Sequence, residues 1–100
     1  MERDTTLDIL QRKLKALKPA LAKEYEVDSL AVFGSYLRGE ETNSSDLDVL
    51  VSFEENPGLL RYIELELLLS DELGVKVDLV MRDALKPTIG ERILRDAVPV

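Results

Sequence analysis

Residues Phe33 to Val51 read FGSYLRGEETNSSDLDVLV, and this stretch restricts the fold more than any other part of the chain. Leu30 to Phe33 is wholly apolar, bounded by Asp28-Ser29 and by Gly34, and reads as a buried strand. One helical turn from Ser35 leads into a polar, aperiodic segment, Arg38 to Ser45, which contains Gly39 and Asn43 and is a loop. Leu47 to Phe53 is then a second strand. Side chains at i and i+2 of a strand share a face, so Asp46 and Asp48 project together where this strand begins. An unpaired carboxylate on a mostly buried strand is unfavourable, and two side by side repel. A hard cation such as Mg²⁺ or Mn²⁺ relieves both penalties.

A third acid, Asp78, stands inside the apolar run Val75 to Val80, where a carboxylate has no packing rationale. If the third strand lies beside the second, all three acids converge. Each also has an ordinary reading. Asp46 after Ser45 can be a turn residue or helix cap, and Asp78 can pair with Lys76, its i−2 neighbour on the same face. Gly34 and Ser35 are equally double. A glycine after a buried strand allows positive φ or close backbone approach, and a serine there can cap a helix. Exposed N–H groups and a hydroxyl also gather around a phosphate. Alone, Gly-Ser marks a strand-end turn; beside three acids carried on strands, it completes a set suited to a nucleoside triphosphate with divalent metal.

The remaining elements follow from periodicity and punctuation. Leu7, Leu10, Leu14, Leu17 and Leu21 recur at three- and four-residue steps, the pattern of an amphipathic helix. Pro19 interrupts it and predicts a kink or break near Leu17–Lys18, with a second short helix from Pro19 to Tyr25. Glu54 to Gly58 is a turn cluster, Leu59 to Leu73 a helix closed by Gly74, and Lys76 to Met81 the third strand. Pro87 to Ala97 is a last helix, in which Gly90 is poorly helix-favouring, with room for a short strand at Val98 to Val100. The expected architecture is α/β of the α+β kind: a small mixed sheet of three to four strands with helices packed on one side.

With 45% hydrophobic residues in 100, the chain predicts one globular domain spanning 1–100, able to bury about two-thirds of its unfolded surface. It has no cysteine, no signal-like N-terminus and no apolar run near the ~20 residues of a membrane span, so a soluble, cytoplasmic protein is expected. Twenty acids against 13 bases give a formal charge of −7. A polynucleotide substrate is disfavoured, because backbone binding draws on a basic face. A small nucleotide brought with its metal ions, or a basic protein partner, fits better, although acidity for solubility alone leaves the same balance. Without histidine, general-base chemistry at neutral pH falls to a carboxylate or metal-bound water.

Gly34-Ser35, ten intervening residues and then Asp46-Leu47-Asp48 resemble the motif of the polymerase-β-type nucleotidyltransferase superfamily. Arg38-Gly39, the Ser45-Asp46 pairing and Lys76-Val77-Asp78-Leu79-Val80 are similar to its minimal members, the MNT partners of HEPN toxins. The resemblance covers nearly the whole chain. It implies the nucleotidyltransferase fold, with Asp46, Asp48 and Asp78 binding Mg²⁺ or Mn²⁺ and the triphosphate of ATP. It further implies that Asp78 helps to activate the attacking hydroxyl and that Gly34 and Ser35 hold the β- and γ-phosphates. Arg38 is a further candidate for a phosphate contact, or a solvated loop residue.

Larger relatives carry an additional helical domain for the acceptor, for which 100 residues leave no room. The resemblance therefore implies a protein acceptor: a HEPN ribonuclease toxin, to which the MNT antitoxin transfers AMP on a tyrosine. The helix Leu59 to Leu73 carries more leucines than one narrow stripe needs, compatible either with a partner surface or with a wide face covering the sheet. Two other functions compete. One is an antitoxin that neutralises by binding and occlusion; the other is a nucleotidyltransferase acting on a small molecule. The complete acid set favours an enzyme, and the absent acceptor domain disfavours a small molecule.

Overall fold

Thr5 and Asp8 start the first helix reciprocally. The Asp8 N–H donates to Thr5 Oγ1 at 3.1 Å, and the Thr5 N–H donates to the Asp8 carboxylate at 3.2 Å, which satisfies two otherwise orphaned donors. The computed structural model describes residues 5–100; the first four residues of the expected 1–100 domain lie outside it. Helix α1 runs without interruption from Thr6 to Tyr25, and the break expected at Pro19 does not occur. An interior proline costs about 3 kcal/mol through its lost hydrogen bond and ring clash. Leu10 and Leu14 before it, and Leu21 and Tyr25 after it, are all buried, and burying a large apolar side chain contributes roughly 1.5–3 kcal/mol. Pro19 itself faces solvent, where the freed carbonyl one turn back can bond to water. Packing of both halves onto one surface therefore outweighs the local penalty.

That surface is one face of a four-stranded mixed sheet, ordered β3-β2-β1-β4 among the described residues. Strand β1 (Val27–Phe33) is antiparallel to β2 (Leu47–Phe53) and to the short β4 (Val98–Pro99), whereas β2 and β3 (Val77–Met81) are parallel. Alternation divides the faces. Leu47, Val49, Val51, Val77 and Leu79 are buried in one core cluster with the α1 leucines and with Leu65, Leu69 and Leu73 of α3 (Leu59–Leu73). Residues one step out of phase, Phe33, Asp48 and Asp78, share the opposite face. The expected fourth strand is present, held by Val100 N–H to the Leu30 carbonyl at 3.0 Å and by Lys18 Nζ to the Val100 carbonyl at 2.9 Å.

Strand β3 is an edge, and α3 closes its free side. Val77 N–H donates to Ser70 Oγ and Leu79 N–H to Glu66 Oε2, each at 2.9 Å, while Tyr62 Oη donates to the Leu79 carbonyl. An edge so occupied cannot template another strand. The outer side of α3 is different: Leu59, Leu60, Ile63 and Leu67 remain exposed, Leu60 at 82%. Both readings of its excess leucines thus have a physical counterpart, one stripe covering the sheet and another facing out. A short helix, α2 (Ser35–Arg38), connects β1 to β2, and α4 (Pro87–Asp96) lies between β3 and β4. Gly90 is buried within α4, where a Cβ would come within 3.0 Å of the Leu85 Cβ, so a close loop crossing explains that unfavourable helix residue.

Candidate active site

Strand register assembles the acids. Asp48 pairs with Asp78 across the parallel β2–β3 ladder, and Phe33 pairs with Asp48 across β1–β2, giving one row of three on the face away from α1 and α3. Gly34 directly follows Phe33 with φ +85°, a conformation that L side chains avoid. A Cβ there would overlap Asp48 Oδ2 and stand 2.9 Å from its Cγ. Two independent constraints, backbone angle and close approach, therefore require glycine. Ser35 opens α2, and the Gly34 carbonyl accepts the Leu37 and Arg38 N–H groups at 3.1 and 3.2 Å. The Gly-Ser pair is thus more than a turn: it presses backbone against an acid.

The acids differ from one another. Asp48 is half-buried, and its carboxyl is raised to about 6 by burial first, then by the charges of Asp78 and Asp46 and a hydrogen bond with Asp78, against a lowering by Arg38. Asp78 is exposed at the edge. Lys76, the candidate ion-pair partner of Asp78, lies instead 3.8 Å from Asp46 Oδ2, a long and exposed pair of little energetic weight. The turn before β2 is tied by Thr42 N–H to Ser45 Oγ at 2.8 Å and Ser45 N–H to the Thr42 carbonyl at 3.0 Å, which delivers Asp46 to the start of the strand. Arg38 ion-pairs with Glu40 at 3.0 Å and remains exposed, so the solvated-loop reading holds in part, while its charge still reaches Asp48.

Among the described residues, no three acids stand close enough to hold a metal ion by themselves. The donor chemistry nevertheless suits one. The oxygens are hard, burial and then the neighbouring carboxylates raise Asp48, and Mg²⁺ is usually held by one or two carboxylates together with substrate phosphates rather than by an all-protein cage. Beyond these groups, a cleft of about 220 Å³ opens from Gly34 towards α4, lined by Phe33, Arg38, Ile89, Arg92 and Ile93. Its α4 residues are absent from the sequence-derived site. Arg92 lies midway between Ile89 and Asp96 on one helical face, and only the docking of α4 beside Gly34 distinguishes it from a solvated arginine.

A backbone–acid contact at the end of β1 thus stands beside in-register aspartates on β2 and β3. The nucleotidyltransferase domain family matches residues 14–100. The chain belongs to this family and, within it, to the minimal type. It is 47% identical over 95 residues to the protein adenylyltransferase MntA of Thermococcus cleftensis, covering 95% of this chain and 96% of that protein. It is also similar to a solved structure assigned as a minimal nucleotidyltransferase, with 37% identity, a TM-score of 0.78 and full coverage of both chains. A likeness of fold alone links it to a chain from the complex of a tri-AMPylated Shewanella oneidensis HEPN toxin with its MNT antitoxin. There the TM-score is 0.64 at 20% identity, over 90% of this chain and 70% of that one. No helix among the described residues is long and apolar enough to cross a membrane.

Proposed function

We propose that this chain is a metal-dependent protein adenylyltransferase and antitoxin, which moves AMP from ATP to a tyrosine hydroxyl of a HEPN ribonuclease toxin. The observation that carries the reading is the Gly34–Asp48–Asp78 arrangement, a backbone cradle against in-register carboxylates. The name of the Thermococcus relative and the AMPylated toxin in the fold neighbour support the acceptor. In the reaction, the tyrosine oxygen attacks the α-phosphorus. The bond from that phosphorus to the β-phosphate bridging oxygen breaks, pyrophosphate leaves, and the hydroxyl proton passes to Asp78. The exposure of Asp78 suits an acceptor arriving from outside. Gly34 and Ser35 hold the β- and γ-phosphates, and Arg38 reaches a phosphate by leaving Glu40. Asp46, Asp48 and Asp78 would hold Mg²⁺ or Mn²⁺, which supplies neutralisation of the triphosphate and the leaving group. The outward apolar stripe of α3 supports a protein partner.

Neutralisation by binding alone is the second reading, favoured by that same stripe. One experiment separates them: wild type and Asp78→Asn are each incubated with ATP, Mg²⁺ and a HEPN-type partner, and intact mass is measured alongside toxin rescue. Wild type is expected to add AMP to the partner, and Asp78→Asn to bind without modifying it. Full rescue by Asp78→Asn, with no added mass, leaves occlusion as the sufficient mechanism.

A further inference from the structure

Tyr62 serves the fold by donating its hydroxyl to the Leu79 carbonyl on the outer edge of β3, one residue past Asp78. We propose that the same hydroxyl is an acceptor within this chain, so that the protein transfers AMP from ATP to its own Tyr62. This rests on the nucleotidyltransferase reading and adds a modification site which that reading does not contain.

Direction points to Tyr62 first. Gly34, Asp48 and Asp78 follow one another across β1, β2 and β3, and α3 closes the far side of β3. In an in-line displacement the attacking oxygen stands opposite the leaving pyrophosphate. With the β- and γ-phosphates at Gly34, the attacker therefore stands on the β3 side of the acids, where α3 presents Tyr62. Accessibility selects the same residue. Of the three tyrosines, Tyr25 and Tyr36 are buried in the core cluster, whereas Tyr62 is half-buried. Electrostatics agrees with the placement. Burial first, then the charges of Glu66 and Asp78, push the Tyr62 phenol above its ordinary value. The hydroxyl is thus within reach of the acid row and keeps its proton at neutral pH.

A change of side-chain rotamer frees the oxygen from the strand edge and turns it towards the acids. The Tyr62 oxygen then attacks the α-phosphorus, and the bond from that phosphorus to the β-phosphate bridging oxygen breaks. Pyrophosphate leaves, and the phenolic proton passes to Asp78. The product is a tyrosyl phosphodiester that carries adenosine. Tyr62 also lines an apolar cleft of about 470 Å³, together with Leu59, Leu79, Val80 and Met81. Small-molecule pockets span roughly 300–1,000 Å³, so this cleft has room for the adenosine once it is attached to Tyr62.

The test incubates the chain alone with ATP and Mg²⁺, then measures intact mass and locates the modified residue by tandem mass spectrometry. Wild type is expected to gain AMP on Tyr62, at a rate per molecule that does not change on dilution. Tyr62→Phe, which keeps the ring in the cleft, should gain none and should still add AMP to a HEPN-type partner. Asp48→Asn should modify neither itself nor the partner. Localisation on the wild-type chain stands whether or not Tyr62→Phe folds as well as its parent. AMP found only on another residue, a rate per molecule that falls in proportion to dilution, or an undiminished mass gain in Tyr62→Phe would overturn the proposal. So would a wild type that modifies the partner but never itself, an outcome that leaves the transferase reading intact. A wild type that modifies neither would remove both.

Discussion

Asp48 and Asp78 occupy one register position on adjacent parallel strands, and Asp78 is the foremost electrostatic cause, after burial, of the raised Asp48 carboxyl. With no cation beside it, that crowding is a liability. With a folded pKa of about 6 against 3.8 unfolded, the folded chain holds an extra proton between those values. The stabilisation from Asp48 is therefore fully present below about pH 4 and is lost as pH rises through 6. In metal-free protein, Asp48→Asn should gain on wild type across that window. Solvent screening limits the gain at pH 7 to about 1 kcal/mol, or about 4–8 °C in Tm for a domain of this size. Thermal denaturation of both proteins from pH 4 to 7 checks it; a constant difference would contradict the coupling.

Gly34 and Gly39 share positive φ, +85° and +71°, yet only Gly34 has an acid where its Cβ would be. Alanine at either position incurs a positive-φ backbone penalty of roughly 1–3 kcal/mol. Gly34→Ala must additionally displace the Asp48 carboxylate. It should therefore cost more stability than Gly39→Ala and weaken ATP binding, which Gly39→Ala should leave unchanged. Denaturant melts and nucleotide titrations of the two variants give the comparison.

The contrast between legible and illegible features follows the range of the forces involved. Helix α3 and strand β2 are readable at both ends because Gly58, Gly74 and the turn residues bracket unmistakable apolar runs. Pro19 misleads because its cost is local while its compensation, burial of Leu10, Leu14, Leu21 and Tyr25, is tertiary. Strand β1 begins at Val27 rather than Leu30 because Val27 pairs with Phe53 and Ser29 with Ser52, with Asp28 left between them at a shift in register. In the site, the Asp-x-Asp spacing is a local fact and readable. The pairing of Lys76 with Asp46, the use of Glu66 and Ser70 on the β3 edge, and the placing of Arg92 beside Gly34 depend on contacts between distant segments. No local pattern encodes those.

The closed β3 edge makes a separate prediction. Glu66→Ala and Ser70→Ala each remove the acceptor of one β3 amide, Leu79 and Val77 respectively. Each should cost roughly 1–3 kcal/mol, since a part-buried donor is left unmade. The double variant should also self-associate through the freed edge. Chemical denaturation gives the first quantity, and light scattering against concentration gives the second. A double variant that stays monomeric at high concentration would show that the edge needs no such cover.

The outer α3 stripe and the acid row lie on different parts of the molecule, which allows partner binding and chemistry to be separated. Leu60 and Leu67, 82% and 65% exposed, contribute little to the core, so Leu60→Glu with Leu67→Glu should leave stability within about 0.5 kcal/mol. ATP affinity should also be unchanged, because neither residue borders Gly34, Asp48 or Asp78. Binding to a HEPN-type partner should fall strongly, since two carboxylates would be forced into an apolar contact. Transfer of AMP should fall with it and recover at high partner concentration, as expected of a lost docking surface rather than a damaged site. Asp78→Asn should behave in the opposite way, holding the partner and failing to modify it at any concentration. Titration calorimetry with the partner and intact-mass measurement over a concentration series distinguish the two. Transfer by the leucine variant at wild-type efficiency, already at low partner concentration, would show that the acceptor approaches over another surface.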